Sequence, residues 1–112
     1  VVARQWNQPV EWWAHQPLAI KAGLKPAIAE AIENRLRPMF EDEKEEAVYE
    51  VAQEILDTKK LSDLTYKNAL TVLGEKTLFE LTVIIGYYAC IAIQMNCFDV
   101  GISEGEEPRL KD

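Results

Sequence analysis

The chain has 112 residues, the length of one domain, and its 48% hydrophobic and 28% charged residues are ordinary for a soluble globular protein. Its net charge of −7 excludes duplex DNA and anionic membrane surfaces as expected partners, because binding to either requires a basic surface. With one histidine and no CxxC pair, a clustered His/Cys metal site is excluded too, and we expect neither metal nor cofactor.

The opening segment, VVARQW, has no initiating Met and reads as the end of a helix that begins upstream. We therefore expect a single domain over residues 1–100 that lacks an upstream helix, followed by a polar tail over residues 101–112. No β alternation persists along the chain, and the start and stop signals are those of helices. The sequence predicts an all-α fold.

The first complete helix is predicted from Pro9 to Gly23. Asn7 or Gln8 caps it, and proline is well suited to the first helical position, where a missing N–H costs nothing. Glycine is a common left-handed terminator of helices. Pro17 lies inside the segment and predicts a kink, because its ring removes one backbone hydrogen bond.

Three more helices are predicted before the last one, and each has one apolar face. Pro26 opens a helix with Ile28, Ile32 and Leu36 on that face. The longest amphipathic helix covers residues 41–59, and its inner face is Val48, Val51, Ala52 and Ile55. Ser62 caps a further helix with the stripe Tyr66, Ala69, Leu70 and Leu73, which Gly74 ends.

Acidic residues crowd the first turns of the helix over 41–59, and two lysines follow at its end. The helix macrodipole favours this order. The acidic run has two interpretations, a solvated helix face or a cation site.

The last helix, LFELTVIIGYYACIAIQMNCF, is apolar nearly all round and long enough to cross a bilayer. Polar residues interrupt it outside residues 83–93, so we favour a central helix buried on every side, with a membrane span as the alternative. In so small a domain a second subunit would complete the burial. Gly86 is costly in the middle of a helix, which suggests that another backbone approaches it closely.

The two cysteines, Cys90 and Cys97, are seven residues apart on this helix. Two helical turns separate them by ~10 Å, which is too far for a disulfide. We expect reduced, buried thiols and a cytoplasmic protein.

Two motifs, EWWAHQPLAIKAGL and LTYKNALTVLGEKTLFELTVIIGYYACIAIQMNCFDV, give the chain a resemblance to the carboxymuconolactone decarboxylase family, which includes the alkylhydroperoxidase D-like proteins. The similarity runs from residue 1 to about residue 100. It implies an all-α alkylhydroperoxidase D-like bundle that forms trimers, hexamers or related oligomers such as dimers. The sites would lie near subunit contacts.

The chain departs from the peroxidatic members of that family, which carry a CxxC followed four residues later by His. In register with His15, the two cysteine positions hold Gln8 and Glu11. Thiol peroxidase chemistry needs a reactive thiolate and a resolving thiol, so we expect none here. A further acidic relay residue of that family would lie upstream of residue 1.

The candidate catalytic residues are His15 and Glu11, which lie four apart on one helical ridge. The carboxylate can orient the imidazole and raise its pKa, and His15 can then act as a general acid. Trp12 and Trp13 are candidate pocket walls, although core packing is the alternative for each, as it is for His15. Arg4 is the candidate for binding a substrate carboxylate, with Lys21 as a second.

Two functions remain open from the sequence. The first is cofactor-free decarboxylation or proton transfer on a small carboxylated lactone-type substrate, as the resemblance implies. The second is a non-catalytic or ligand-binding homo-oligomer that retains the scaffold without the cysteines. Convergence of Glu11 and His15 on a pocket would favour the enzyme.

Overall fold

The computed structural model describes residues 1–99, and in this range the chain folds into six α-helices and no strand. The helices are α1 (Val2–Gln5), α2 (Pro9–Lys21), α3 (Pro26–Glu33), α4 (Glu43–Thr58), α5 (Asp63–Leu73) and α6 (Glu75–Cys97). The predicted all-α class is confirmed. The predicted tail over residues 101–112 and the boundary at residue 100 lie outside the described residues.

Several helix ends are those that the sequence predicts. Gln8 caps α2, and Gly23 follows the helix in the left-handed region with φ of 116°. The helix continues through Pro17 to Lys21, so this proline does not end it. Ser62 caps α5, because its hydroxyl accepts a hydrogen bond from the Thr65 N–H at 3.3 Å.

The helix α3 is shorter than predicted, and Leu36 does not belong to its buried face. Arg35 adopts a left-handed conformation with φ of 59°, and the Leu36 N–H donates to the Ala31 carbonyl at 2.8 Å. This hydrogen bond belongs to a Schellman ending, which turns the chain away from the helix axis. Leu36 is consequently 63% exposed, whereas Ile28 remains buried as predicted.

The hydrophobic core lies between α4, α5 and α6. It consists of Val51, Ala52, Leu56, Ala69, Leu78 and Ile85. The predicted inner face of α4 is correct for Val51 and Ala52, but Val48 lies on the rim and Ala47 and Leu56 are buried instead. In α5 the fully buried member of the predicted stripe is Ala69, and Tyr66 is about half exposed. The small side chain of Ala69 lets α5 pack closely on α4 and α6.

The prediction that the last helix is buried on every side is wrong within a single chain. Leu78, Ile85 and Ala92, each seven residues apart, are its buried side chains. The opposite face of α6 carries exposed apolar residues, including Phe79, Val83 and Tyr87. The helix is long and apolar enough to cross a membrane, and only 17% of its apolar 18-residue window is buried within the described chain. Three neighbouring helices cover one side of α6 and leave the other uncovered.

Both cysteines lie on or beside this uncovered side. Cys90 and Cys97 are free and exposed, which corrects the prediction of buried thiols. Nothing in the described chain lies within 4 Å of where a Cβ on Gly86 would be, so the approach expected there is not made within one chain. The thiols and the glycine belong to an open surface.

The side chain of Gln8 connects the start of α2 to the end of α6. Its carbonyl oxygen accepts hydrogen bonds from the N–H groups of Val10 at 2.6 Å and Glu11 at 3.3 Å. Its amide nitrogen donates to Asn96 Oδ1 at 2.9 Å, and Asn96 Nδ2 donates to the Trp6 carbonyl at 2.8 Å. Gln8 is only 1% exposed, so its own hydrogen bonds lie at least partly out of contact with water. They fix the first turn of α2 against α6.

We expect the Gln8→Ala variant to lose ~1–2 kcal/mol in free energy of unfolding, because it removes a helix cap and the hydrogen bond from Gln8 to Asn96. Urea unfolding followed by circular dichroism measures this loss. The control is Gln94→Ala, an exposed glutamine on α6 that should change stability by less than ~0.5 kcal/mol. Equal stabilities of the two variants would contradict the role assigned to Gln8.

Candidate functional site

A pocket of about 280 Å³ opens where α1, α2 and α6 meet. Glu11 and His15 reach it from α2 and Tyr88 reaches it from α6, while residues 1–3 form the remaining wall. The i, i+4 spacing of Glu11 and His15 places both on the same ridge of α2, as predicted. The structure therefore brings the two candidate catalytic residues to one cavity.

Glu11 is the buried member of the site. It is 4% exposed, and neither carboxylate oxygen accepts a hydrogen bond from any described residue. Burial raises the pKa of this carboxyl group above its ordinary value of 4.5, because the charged form loses its hydration. A carboxyl group in such a place holds a proton at a higher pH than an exposed glutamate does. This is the property expected of a general acid or base.

His15 is the exposed member of the site, and its imidazole contacts an aromatic ring rather than the Glu11 carboxylate. Its ring packs edge-on against Tyr88, with centroids 5.2 Å apart and an interplanar angle of 79°. Tyr88 in turn packs edge-on against Tyr87 at 5.3 Å. Because Glu11 accepts no hydrogen bond, the expected direct orientation of the imidazole by Glu11 is not observed. Glu11 and His15 share a pocket without a direct hydrogen bond.

The other predicted site residues lie elsewhere. Trp12 is buried in the core and Trp13 is half-buried, and neither lines the pocket of Glu11 and His15. Arg4 lines a neighbouring pocket, where its Nη1 donates to Asn7 Oδ1 at 3.3 Å. Of the predicted site residues, which include Lys21 as the second candidate for binding a carboxylate, only Glu11 and His15 line this cavity.

Tyr88 is the functional candidate that the sequence interpretation missed. Consecutive residues of an α-helix are rotated by about 100°, so Tyr87 and Tyr88 cannot both face outward in the same direction. Tyr88 lies on the side of α6 shared with Ile85 and Ala92, whereas Tyr87 is 62% exposed. Two consecutive tyrosines in a helix with a seven-residue apolar repeat indicate that one of them faces the interior.

The side chains of residues 1–99 contain no group of three or more His, Cys, Asp or Glu that could hold a metal ion. Comparisons with protein-family models, curated proteins and solved structures found no match. The resemblance to the carboxymuconolactone decarboxylase family thus rests on the motifs quoted above. The chemistry proposed for this pocket therefore depends on the side chains of Glu11, His15 and Tyr88.

The raised pKa of Glu11 predicts a pH dependence of stability. Above pH 4.5 the folded state retains a proton that the unfolded chain releases. The contribution of this group to stability is therefore fully present below pH 4.5 and is lost as the pH rises through its folded pKa. Glu11→Gln does not titrate, so its stability relative to the unmodified protein should increase as the pH rises from 4 to 8.

Urea unfolding of both proteins between pH 4 and pH 8 measures this difference. Glu30→Gln, on an exposed position of α3, is the matched control and should show a difference that stays nearly constant over the same range. Parallel stability curves for Glu11→Gln and the unmodified protein would contradict the burial of a titrating carboxyl group.

Proposed function

We propose that this chain is a carboxymuconolactone decarboxylase-like protein, a cofactor-free homo-oligomer that transfers a proton to a small carboxylated lactone-type substrate. The observation that carries the proposal is the Glu11 carboxyl group, which is buried without a hydrogen-bond partner among residues 1–99 and lines the same pocket as His15. The family resemblance supplies the substrate class. Glu11 in this pocket is the candidate acid.

The reaction needs a proton at a defined place. Decarboxylation breaks the bond between the substrate carboxylate and its ring carbon, and the electron pair passes into the conjugated lactone as CO2 leaves. The carbanion-like carbon then accepts one proton, which restores the neutral lactone. Groups near the lactone carbonyl that donate hydrogen bonds lower the barrier by stabilising the developing charge.

Glu11 and His15 have different roles in this proton transfer, because Glu11 is buried and His15 is exposed. Glu11, whose pKa is raised by burial, holds the proton on the inner side of the pocket and delivers it to carbon. His15, in contact with water and with the Tyr88 ring, returns a proton to the site from solvent. The Tyr88 hydroxyl is the candidate donor to the lactone carbonyl. Thiol peroxidase activity has no place here, because Gln8 and Glu11 occupy the cysteine positions of the peroxidatic relatives.

Oligomerisation is supported by the uncovered side of α6. The residues Phe79, Val83, Gly86, Tyr87, Cys90 and Ile93 recur at helical spacing and form one stripe opposite the buried residues Leu78, Ile85 and Ala92. An exposed apolar stripe of this length is typical of a subunit interface. The polar residues Glu80 and Gln94 near its two ends favour a second protein chain over lipid as its cover.

The non-catalytic, ligand-binding oligomer is the second candidate function. The same α6 stripe supports it, since a scaffold that oligomerises needs no proton transfer. The two functions differ in what they require of Glu11 and His15, which only the enzyme uses. A cytoplasmic location stays a prediction for both.

For the enzyme, we expect Glu11→Gln to lower the rate of CO2 release from a carboxylated unsaturated lactone by ~100-fold or more, because the amide cannot deliver a proton. His15→Ala should lower the rate by a similar factor, and added imidazole should restore part of it. Glu30→Gln is the control for the loss of an exposed carboxylate and should leave the rate unchanged. Unchanged turnover in both site variants, or no CO2 release by the unmodified protein, would favour the non-catalytic oligomer.

For the assembly, we expect sedimentation at micromolar concentration to give an oligomer, and Val83→Glu to shift it towards monomer by placing a charge in the apolar stripe. Leu64→Glu introduces the same charge at an exposed leucine of α5 and should leave the assembly intact. A monomeric unmodified protein would contradict the interface, and so would equal behaviour of the two variants.

A further inference from the structure

The three arginines within residues 1–99 line a single pocket of about 320 Å³. Arg4 reaches it from α1, whereas Arg35 and Arg37 reach it from the segment that follows α3, and Tyr49 of α4 forms part of the wall. None of the side chains lining this pocket is acidic. In a chain with a net charge of −7, this is a local concentration of positive side chains.

Two of these arginines converge on one neutral oxygen. Arg4 Nη1 and Arg35 Nη2 donate to the same Asn7 Oδ1, at 3.3 Å and 2.5 Å. A guanidinium group is charged at every physiological pH, so two positive groups are held near each other by an amide that carries no charge. An oxyanion bound at this point would accept hydrogen bonds from both groups and reduce their repulsion.

The backbone places these side chains. Asn7 and Arg35 are the left-handed residues that follow α1 and α3, with φ of 49° and 59°. Left-handed geometry is common for Asn but rare for Arg. The ends of α1 and α3 therefore meet at Asn7 and Arg35. Arg4 and Arg35 both reach Asn7 Oδ1 between these two helix ends.

The third arginine is already neutralised. Arg37 forms ion pairs with Glu46 at 3.5 Å and with Glu50, and it lies over the Tyr49 ring at 5.6 Å. Arg35, by contrast, forms no ion pair with a carboxylate in the described part of the chain. Asp57, the nearby acid, accepts hydrogen bonds from Gln5 and Gln53. The positive charge of Arg35 is thus available to a ligand.

We infer that this pocket binds a small organic anion, with Arg4 and Arg35 holding its carboxylate or phosphate group and Ile32, Leu36 and Tyr49 contacting its apolar body. The volume is within the range of small-molecule sites. The exposed Leu36, which the helix end turns outward, becomes one wall of the pocket. Val1 lines both pockets, but none of the other residues that line this one lines the Glu11 and His15 pocket, so the two are adjacent and distinct. The inference therefore does not depend on the proposed catalysis.

The test is an NMR titration with inorganic phosphate and, separately, with benzoate, at constant ionic strength maintained with sodium chloride. We expect saturable shifts of the Arg35 side-chain Nε–H resonance and of the Tyr49 backbone amide for at least one probe. Saturation by phosphate alone identifies a phosphate-bearing ligand, and saturation by benzoate alone identifies a carboxylate. Failure of both probes to saturate would overturn the inference.

Three variants separate a ligand site from a purely structural contact between helix ends. Arg35→Gln should weaken binding of the probe by ~10-fold or more, since it removes one charge-assisted hydrogen bond. Arg35→Lys keeps the charge without the planar fork and should bind with intermediate affinity. Lys60→Gln removes an exposed charge away from the pocket and should bind as the unmodified protein does. Equal affinity of Arg35→Gln and Lys60→Gln would overturn the inference, provided that both keep the helical circular dichroism spectrum.

Discussion

The hydrogen bonds of the Gln8 side chain are the constraint on which the site depends. Gln8 is residue 8 and its partner Asn96 is residue 96, so a single buried amide joins the two ends of the described chain. The same amide caps α2 and thereby sets the direction in which Glu11 and His15 leave that helix. Tyr88 comes from α6, which the Asn96 contact holds in place. Gln8 thus connects the two helices that carry Glu11, His15 and Tyr88.

In the register of the CxxC motif of the family that the sequence resembles, the two cysteine positions hold residues of different chemical character. The residue at the first, Gln8, is a neutral amide whose donors and acceptors are used in structure. The residue at the second, Glu11, is a carboxyl group with no hydrogen-bond partner among residues 1–99. Burying an unpartnered carboxyl group lowers stability, and proteins retain such groups mainly where their altered pKa is used. The raised pKa of Glu11 is the basis of the proton transfer proposed for this pocket.

Local signals predicted most of the fold, and tertiary packing decided what they could not. Ser62, Pro9 and Gly23 act on the backbone of their own helix, so their effects could be predicted from the sequence. The exposure of α6 could not, because an all-round apolar helix is compatible with burial in one chain or between several. The position of Glu11 and His15 on one side of α2 followed from helical spacing. The contribution of Tyr88 did not, since it depends on which side of α6 faces α2.

The short helix α1 gives the two pockets different chemistry. Val2 and Ala3 contribute apolar side chains to the pocket of Glu11. Arg4 and Gln5, on the next positions, line a pocket where donors are concentrated. In the first pocket burial raises the pKa of an acid, and in the second an abundance of donors favours an anion. Because one turn of helix forms part of both walls, a displacement of α1 would alter both sites together.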